Sequence, residues 1–243
     1  PGACTGTGGR IRDTIAVGKG ARFTSSYVGY SVGHISNNDL YRDYDIEKSK
    51  DNIWDYPYNK PIDILIKASN GASDYGNKIG EPVTLGYTRS YGGIINNERI
   101  EYVKPIMYCG GIGSMIYKNK DKEPVEQGYL IVRVGGPAYN IGLGGGSASS
   151  RNQDTQNKSK DFNAVQRGDP QMENRVARFV EVCSNLEPNP ILSIHDQGSG
   201  GMGNVTKEIV EPLGAIINLN KVNLGNPNLS SNVIWNAEYQ EQC

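Results

Sequence analysis

The stretch from Pro190 to Asn204, PILSIHDQGSGGMGN, constrains this chain more than any other. A short apolar run, Ile191 to Ile194, ends in His195-Asp196. Four glycines (Gly198, Gly200, Gly201 and Gly203) then fall within six positions. An apolar run bounded by turn residues predicts a buried strand that delivers the Asp196 carboxylate to its C-terminal end, where open α/β sheets collect ligands. The glycines that follow predict a loop whose backbone can approach a bound molecule closely. A second passage, GACTGTGGRIRD from Gly2 to Asp13, has the same character, glycines first and then Arg12 and Asp13. Two glycine-rich loops, each with one Asp, predict a magnesium–nucleotide site, because Mg²⁺ takes a few carboxylates plus phosphate oxygens.

Other chemistries fit less well. Gly2 to Asp13 lacks the G-x-x-x-x-G-K-[ST] spacing of a P-loop. On spacing alone it is either a backbone cradle for phosphates or a turn whose Arg-Asp pair lies at the surface. Gly135 to Ser150 meets the dinucleotide fingerprint G-x-G-x-x-G only if Ser147 or Ser149 stands in its last place, so close packing explains those glycines better. There is no G-x-S-x-G elbow, and Cys4, Cys109, Cys183 and Cys243 form no C-x-x-C pair. His195 and His34 are the two histidines, and His195 reads as a supporting residue beside Asp196.

Net charge is -1 and mean hydropathy -0.53, which gives no electrostatic footprint for nucleic acid and no membrane-spanning stretch. Glycine, at 31 of 243 residues, exceeds the usual ~7% but is clustered in motifs. The widely spaced cysteines favour a reducing, cytoplasmic setting. Strands are expected at Tyr27–Val32, Val83–Tyr91, Pro105–Met115, Tyr129–Val134, Ile191 onward and Ala215–Leu219. Helices are expected at Pro61–Ser69, from Asp169-Pro170 to about Glu187, and at Val205–Val210. The second of these should bury Met172, Val176, Phe179, Val180 and Cys183. The segments 41–60, 117–127, 151–160 and 220–232 read as polar connections. Alternation of strand and helix indicates α+β or α/β layering.

Six motifs in order carry a resemblance: GACTGTGGRIRD, SNGASDYGNKIGEP (Ser69 to Pro82), GGPAYNIGLGGGSASS, AVQRGDPQME (Ala164 to Glu173), HDQGSGGMGN and WNAEYQE (Trp235 to Glu241). Together the chain resembles the phosphoribosylformylglycinamidine synthase family in its large, eukaryotic-type form, a glutamine-dependent amidotransferase of purine biosynthesis. The resemblance implies an aminoimidazole ribonucleotide synthetase-like two-part fold. Residues 1–127 would be the later part of a β-rich, ATP-binding half, and 128–243 an α/β half cut short at its end. It further implies an internal piece of a longer protein, with a catalytic His-containing motif upstream of Pro1 and a glutaminase domain downstream supplying ammonia. No catalytic residue is then expected within the chain itself.

The resemblance also assigns roles. Gly2, Ala3, Cys4, Thr5, Gly6, Thr7, Gly8, Gly9, Arg10, Ile11, Arg12 and Asp13, with Gly86, Tyr87 and Thr88, match ATP-binding positions. Arg12, Gln166, Glu238, Tyr239 and Gln240 match positions that bind the formylglycinamide ribonucleotide, with Tyr239 where many bacterial relatives carry Ser. Asp13 and Asp196 match the Mg²⁺ carboxylates, and their carboxyl groups are expected within roughly 12 Å of each other, given Mg–O bonds near ~2.1 Å. Two other readings stay open: another ATP-using synthetase of the same superfamily, or a non-catalytic, nucleotide-binding copy of the fold.

Overall fold

Gly2–Ile15 form a helix, α1, where the glycine content predicts a loop. The structure, a computed structural model, describes residues 2–35, 59–151, 158–165 and 168–243. In α1 Thr7, Gly8, Ile11, Arg12 and Ile15 are buried at three- or four-residue spacing, a helical stripe with Arg10 buried beside it. The glycines serve close approach rather than flexibility. A Cβ on Gly6 would stand 3.1 Å from the Met107 sulfur, and one on Gly8 2.5 Å from the Tyr75 hydroxyl. Each glycine costs a helix about 1 kcal/mol relative to alanine. Packing against two neighbouring elements offsets that cost.

Those neighbours are α2 (Pro61–Gly76) and the strand β5 (Ile106–Ser114). Pro61 occupies the first turn of α2, where its missing N–H costs nothing. The helix runs past Ser69, through Asn70-Gly71, because Ala72 and Tyr75 continue the stripe begun by Leu65 and Ala68. Gly71 lies against Cys4 of α1, which leaves no room there for a side chain to break the contact.

β1 (Arg22–Val32) is the central strand of a mixed sheet, parallel to β2 (Val83–Ser90) on one side and antiparallel to β5 on the other. Its inner face buries Val28 and Tyr30 against Ala72, with Met107 and Cys109 beside them. Its outer face is open and carries Tyr27, Leu85, Tyr87, Tyr108 and Ile112. A small hairpin, β3 (Gly92–Ile95) and β4 (Glu98–Glu101), turns at Asn96-Asn97. Both turn residues have positive φ, 51° and 64°, as a two-residue hairpin turn of matching twist requires.

The later part of the chain is helical: α3 (Gly145–Ser150), α4 (Lys158–Ala164), α5 (Pro170–Ser184), α6 (Gly201–Val210) and α7 (Ser231–Asn236). Asp169 caps α5 as expected, its carboxylate accepting from the Met172 N–H at 3.1 Å. Of the expected buried face Val176, Val180 and Cys183 are buried, whereas Met172 is half-buried and Phe179 exposed, and Glu173 and Ser184 are buried as well. α6 begins at Gly201, inside the segment read as a loop. The strands expected at Tyr129–Val134, Ile191–Ile194 and Ala215–Leu219 do not form ladders. Leu130, Val132 and Ile216 stand exposed, and pairing is limited to isolated bridges such as Gly135 with Gln242. An apolar run becomes a strand only where a neighbour pairs with its edge. Here the neighbour present is the chain's last residues, and Val134 and Cys243 exchange both backbone hydrogen bonds at 2.9 Å. Ile194 still packs into a core shared with Ile15, Val176 and Val180. The connection expected at 41–60 lies almost wholly outside the described residues. No described helix is long and apolar enough to cross a membrane.

The reading of α1 has a direct test. Gly8→Ala should lower Tm despite the better helix propensity of alanine, by an amount equivalent to about 1–3 kcal/mol of overpacking against Tyr75. Gly2→Ala, whose Cβ would meet nothing within 4 Å, should leave Tm unchanged or raised. Thermal melts of both variants of the full-length protein check it, and a stabilising Gly8→Ala would count against the packed helix.

Candidate functional site

Arg12 and Asp13 occupy the last turn of α1 and point about 100° apart around it, as successive helical residues must. Arg12 turns inward and is 2% exposed, whereas Asp13 remains exposed. One guanidinium nitrogen of Arg12, Nη1, donates to Glu173 Oε2 of α5 at 2.8 Å and lies 3.7 Å from Glu241 Oε1. The other, Nη2, donates to Gln240 Oε1 at 2.8 Å. Tyr75 of α2 closes the network, its hydroxyl 2.6 Å from Glu241 Oε1 and 3.2 Å from Glu173 Oε2.

Four segments remote in sequence thus meet at one guanidinium. Burial alone would lower the Arg12 pKa, but Glu173, then Tyr75 and Glu241, hold it well above the ordinary value. Burial pushes the Tyr75 hydroxyl up, and Glu173 and Glu241 push it further. One positive charge faces two carboxylates, and burial pushes Glu173 up from the ordinary carboxylate range. Burial raises Glu241 to about 7, against the opposing hydrogen bond from Tyr75 and the charge of Arg12.

The exposed partner in this turn has a different environment. The Asp13 carboxyl stands against that of Asp196, close enough for a hydrogen bond between them. That meets the expectation of proximity. Partial burial first, and then the charge of Asp196, raise the Asp13 pKa. Asp13 also sits at the negative end of the α1 dipole, which disfavours its charge further. Like charges in contact at a helix C-terminus call for a cation, and Mg²⁺ bound through two carboxylates and completed by water or phosphate suits that donor set. No cluster of three or more metal-ligating side chains occurs among the described residues.

His195 and Glu238 fix the surrounding loops. The His195 ring lies 2.7 Å from the Asp196 carbonyl oxygen through Nδ1, and 2.7 Å from Glu208 Oε2 of α6 through Nε2. Glu238 accepts from the Gly200 N–H at 3.1 Å and the Ser199 hydroxyl at 3.4 Å, at the start of α6, and from the Gly146 N–H at 3.5 Å. A carboxylate at that helix end is electrostatically favoured. The glycines of this loop therefore approach the protein itself. A Cβ on Gly201 would lie 2.5 Å from the Ala237 carbonyl oxygen, and one on Gly203 2.7 Å from Trp235 Nε1.

Several expected site residues are placed otherwise. Gly2 to Asp13 cannot be one phosphate-binding loop, because eleven helical steps separate its ends by about 16 Å, and the N–H groups of the helix interior are spent on its own carbonyls. Tyr239 is buried in a core with Ala138 and Ala237, its hydroxyl donating to the Ile234 carbonyl oxygen at 3.2 Å. Gly86, Tyr87 and Thr88 lie on β2, exposed, and the Tyr87 ring covers Gly29 on the outer face of the sheet. α1 packs on the inner face, beside Met107 and Cys109, so Tyr87 stands on the side away from Asp13. Gln166 lies outside the described residues. Glu173, Tyr75 and Glu241 were not anticipated. Their signals were positional, since Tyr75 continues the α2 stripe and Glu173 stands three residues before Val176 on the buried face of α5.

The buried network gives stability a pH dependence of defined sign. Between the ordinary carboxylate range and about 7, folded Glu241 keeps a proton that the unfolded chain has lost. Stability should therefore fall as pH rises through that window. Glu241→Gln should flatten the dependence and stabilise the protein at pH 8 by up to about 3 kcal/mol, with little effect at pH 4. Denaturant melts across this pH range check it, and parallel profiles for the two proteins would contradict it.

Comparison with known proteins places this geometry in a family. Residues 126–243 match the family model described as AIR synthase related protein, C-terminal domain. Over 99% of its length the chain is 51% identical to phosphoribosylformylglycinamidine synthase of Dictyostelium discoideum, and 49% identical to that of Homo sapiens. It spans 18% of each of those proteins. Among solved structures it is similar to Thermotoga maritima PurL complexed with FGAR, with a TM-score of 0.67 and 26% identity, covering 99% of this chain and 33% of that one.

Proposed function

Because this chain belongs to the phosphoribosylformylglycinamidine synthase family, we propose that it forms part of the site where such an enzyme converts formylglycinamide ribonucleotide to its amidine with ATP and glutamine. The contact between Asp13 and Asp196 is the observation that carries this reading. An amide oxygen is a poor leaving group, and phosphorylation by ATP makes it a good one. Ammonia, released from glutamine in a glutaminase domain of the longer protein, then displaces phosphate. Such chemistry asks a protein mainly for positioning and for stabilisation of charge on the transferring group.

Asp13 and Asp196 would hold Mg²⁺, which when bound neutralises phosphate oxygens. His195, tied to Glu208, keeps the Asp196 backbone in place. Arg12 and Gln240, hydrogen-bonded to each other, are the side chains we assign to the ribonucleotide. Glu238 holds the start of α6 beside them, and Gln166 is assigned to the ribonucleotide by family position. Tyr239 serves the core that keeps Glu238 and Gln240 in register. For ATP we retain the Asp13 end of α1, through the metal; Gly86 to Thr88 is matched to ATP by family position alone, since Tyr87 stands on the other side of the sheet. We also read a division of the chain near 127/128, which the family model's span from residue 126 supports. The setting we propose is cytoplasmic, although a relative from Arabidopsis thaliana is named as probably chloroplastic/mitochondrial.

Asp13→Asn in the full-length enzyme tests the metal assignment. Amidine formation should fall by about a hundredfold or more at low Mg²⁺ and recover in part at high Mg²⁺, with glutamine hydrolysis less affected. In metal-free buffer the same variant should melt higher than wild type, because a like-charge contact is removed. A variant with ordinary Mg²⁺ dependence would remove Asp13 from the metal site.

A further inference from the structure

Glu173 is a buried carboxylate that the reaction, as read above, does not use. We propose that it is a positioning residue, fixing the plane of the Arg12 guanidinium so that its Nη2 edge and Gln240 together face the ribonucleotide. The inference rests on the assignment of Arg12 to that substrate.

Glu173 lies on the inner stripe of α5 with Val176, Val180 and Cys183, and its side chain is 1% exposed. Its Oε2 receives Arg12 Nη1 at 2.8 Å and the Tyr75 hydroxyl at 3.2 Å, while its Oε1 has no hydrogen-bond partner among the described residues. Glu173 neutralises the buried Arg12 guanidinium, which is a structural role in itself. Its contact also sets where that guanidinium points.

A guanidinium is a rigid plane, so contacts at two of its nitrogens together fix its direction, and losing either one frees it to turn. Glu173 occupies the Nη1 side, and Nη2 reaches Gln240 Oε1 at 2.8 Å. The Arg12 Nε has no hydrogen-bond partner among the described residues. Glu173 is itself held by Tyr75, whose ring passes through a slot between two glycines. A Cβ on Gly8 would lie 2.5 Å from the Tyr75 hydroxyl, and one on Gly168 2.6 Å from Tyr75 Cε2. Support runs from the glycine slot to Tyr75, to Glu173, and so to Arg12. Such backing from behind is what a precise binding group needs.

Steady-state kinetics of the full-length enzyme, with ribonucleotide and ATP varied separately, test the proposal in Glu173→Gln, Tyr75→Phe and Arg12→Lys. Glu173→Gln keeps the shape and loses the charge. It should lower kcat/KM for the ribonucleotide about tenfold while KM for ATP stays within about twofold. Tyr75→Phe removes one hydroxyl and should lower the same quantity about threefold, again selectively. It decides the matter by the same criterion if Glu173→Gln does not fold. A selective loss in Arg12→Lys, with equal loss for both substrates or none in the other two variants, would reduce Glu173 to a structural role and leave Arg12 in place. Unchanged ribonucleotide kinetics in Arg12→Lys would overturn the assignment of Arg12, and this proposal with it.

Discussion

The buried contact of Arg12 with Glu173 is the constraint on which the remaining architecture depends. α1 comes from the sheet-bearing part of the chain, and α5 from the helical part that follows it. The C-terminal residues Gln240 and Glu241 reach the same guanidinium. Removing the arginine would leave two carboxylates buried without compensation, a far larger penalty than losing a surface ion pair. The helix register that aims Arg12 inward also turns Asp13 outward. Both parts of the site are therefore set by one interaction.

Sequence and structure agree where a local pattern is also the tertiary one. β1, β2 and β5 fall where alternation and β-branched or aromatic residues predict them. α5 begins where Asp169-Pro170 predicts, because a cap and a first-turn proline are local chemistry. Strands 129–134, 191–194 and 215–219 were misread for one shared reason. Apolarity and β-propensity describe a segment, whereas a ladder needs a second segment to pair with, and exposed Leu130, Val132 and Ile216 have none among the described residues.

Glycine was the other source of error, and it misled in one direction. Clustered glycines at 2–9 and 198–203 read as loops built to approach a ligand. In both places the chain is wholly or partly helical, and the close approach is to Tyr75, Met107, Trp235 and Ala237. A missing Cβ admits any neighbouring group, and sequence does not say whether that group is ligand or protein. The competing signal was legible in α1, where Thr7, Ile11 and Ile15 keep a four-residue spacing through the glycines.

The adjacent pair Arg12-Asp13 shows why motif and mechanism diverge at the level of single side chains. Read as a word, the pair suggests two groups acting together on one ligand. On a helix the two must diverge, so one can be 2% exposed inside a carboxylate cage while the next meets Asp196 at the surface. The inner residue is held by Glu173 and Tyr75, and the outer is left in repulsion with a like charge. Protein partners largely satisfy the arginine, whereas the aspartate pair calls for a counter-ion from outside. That imbalance is the physical basis of the metal site proposed at the Asp13–Asp196 edge, with Arg12 and Gln240 held behind it.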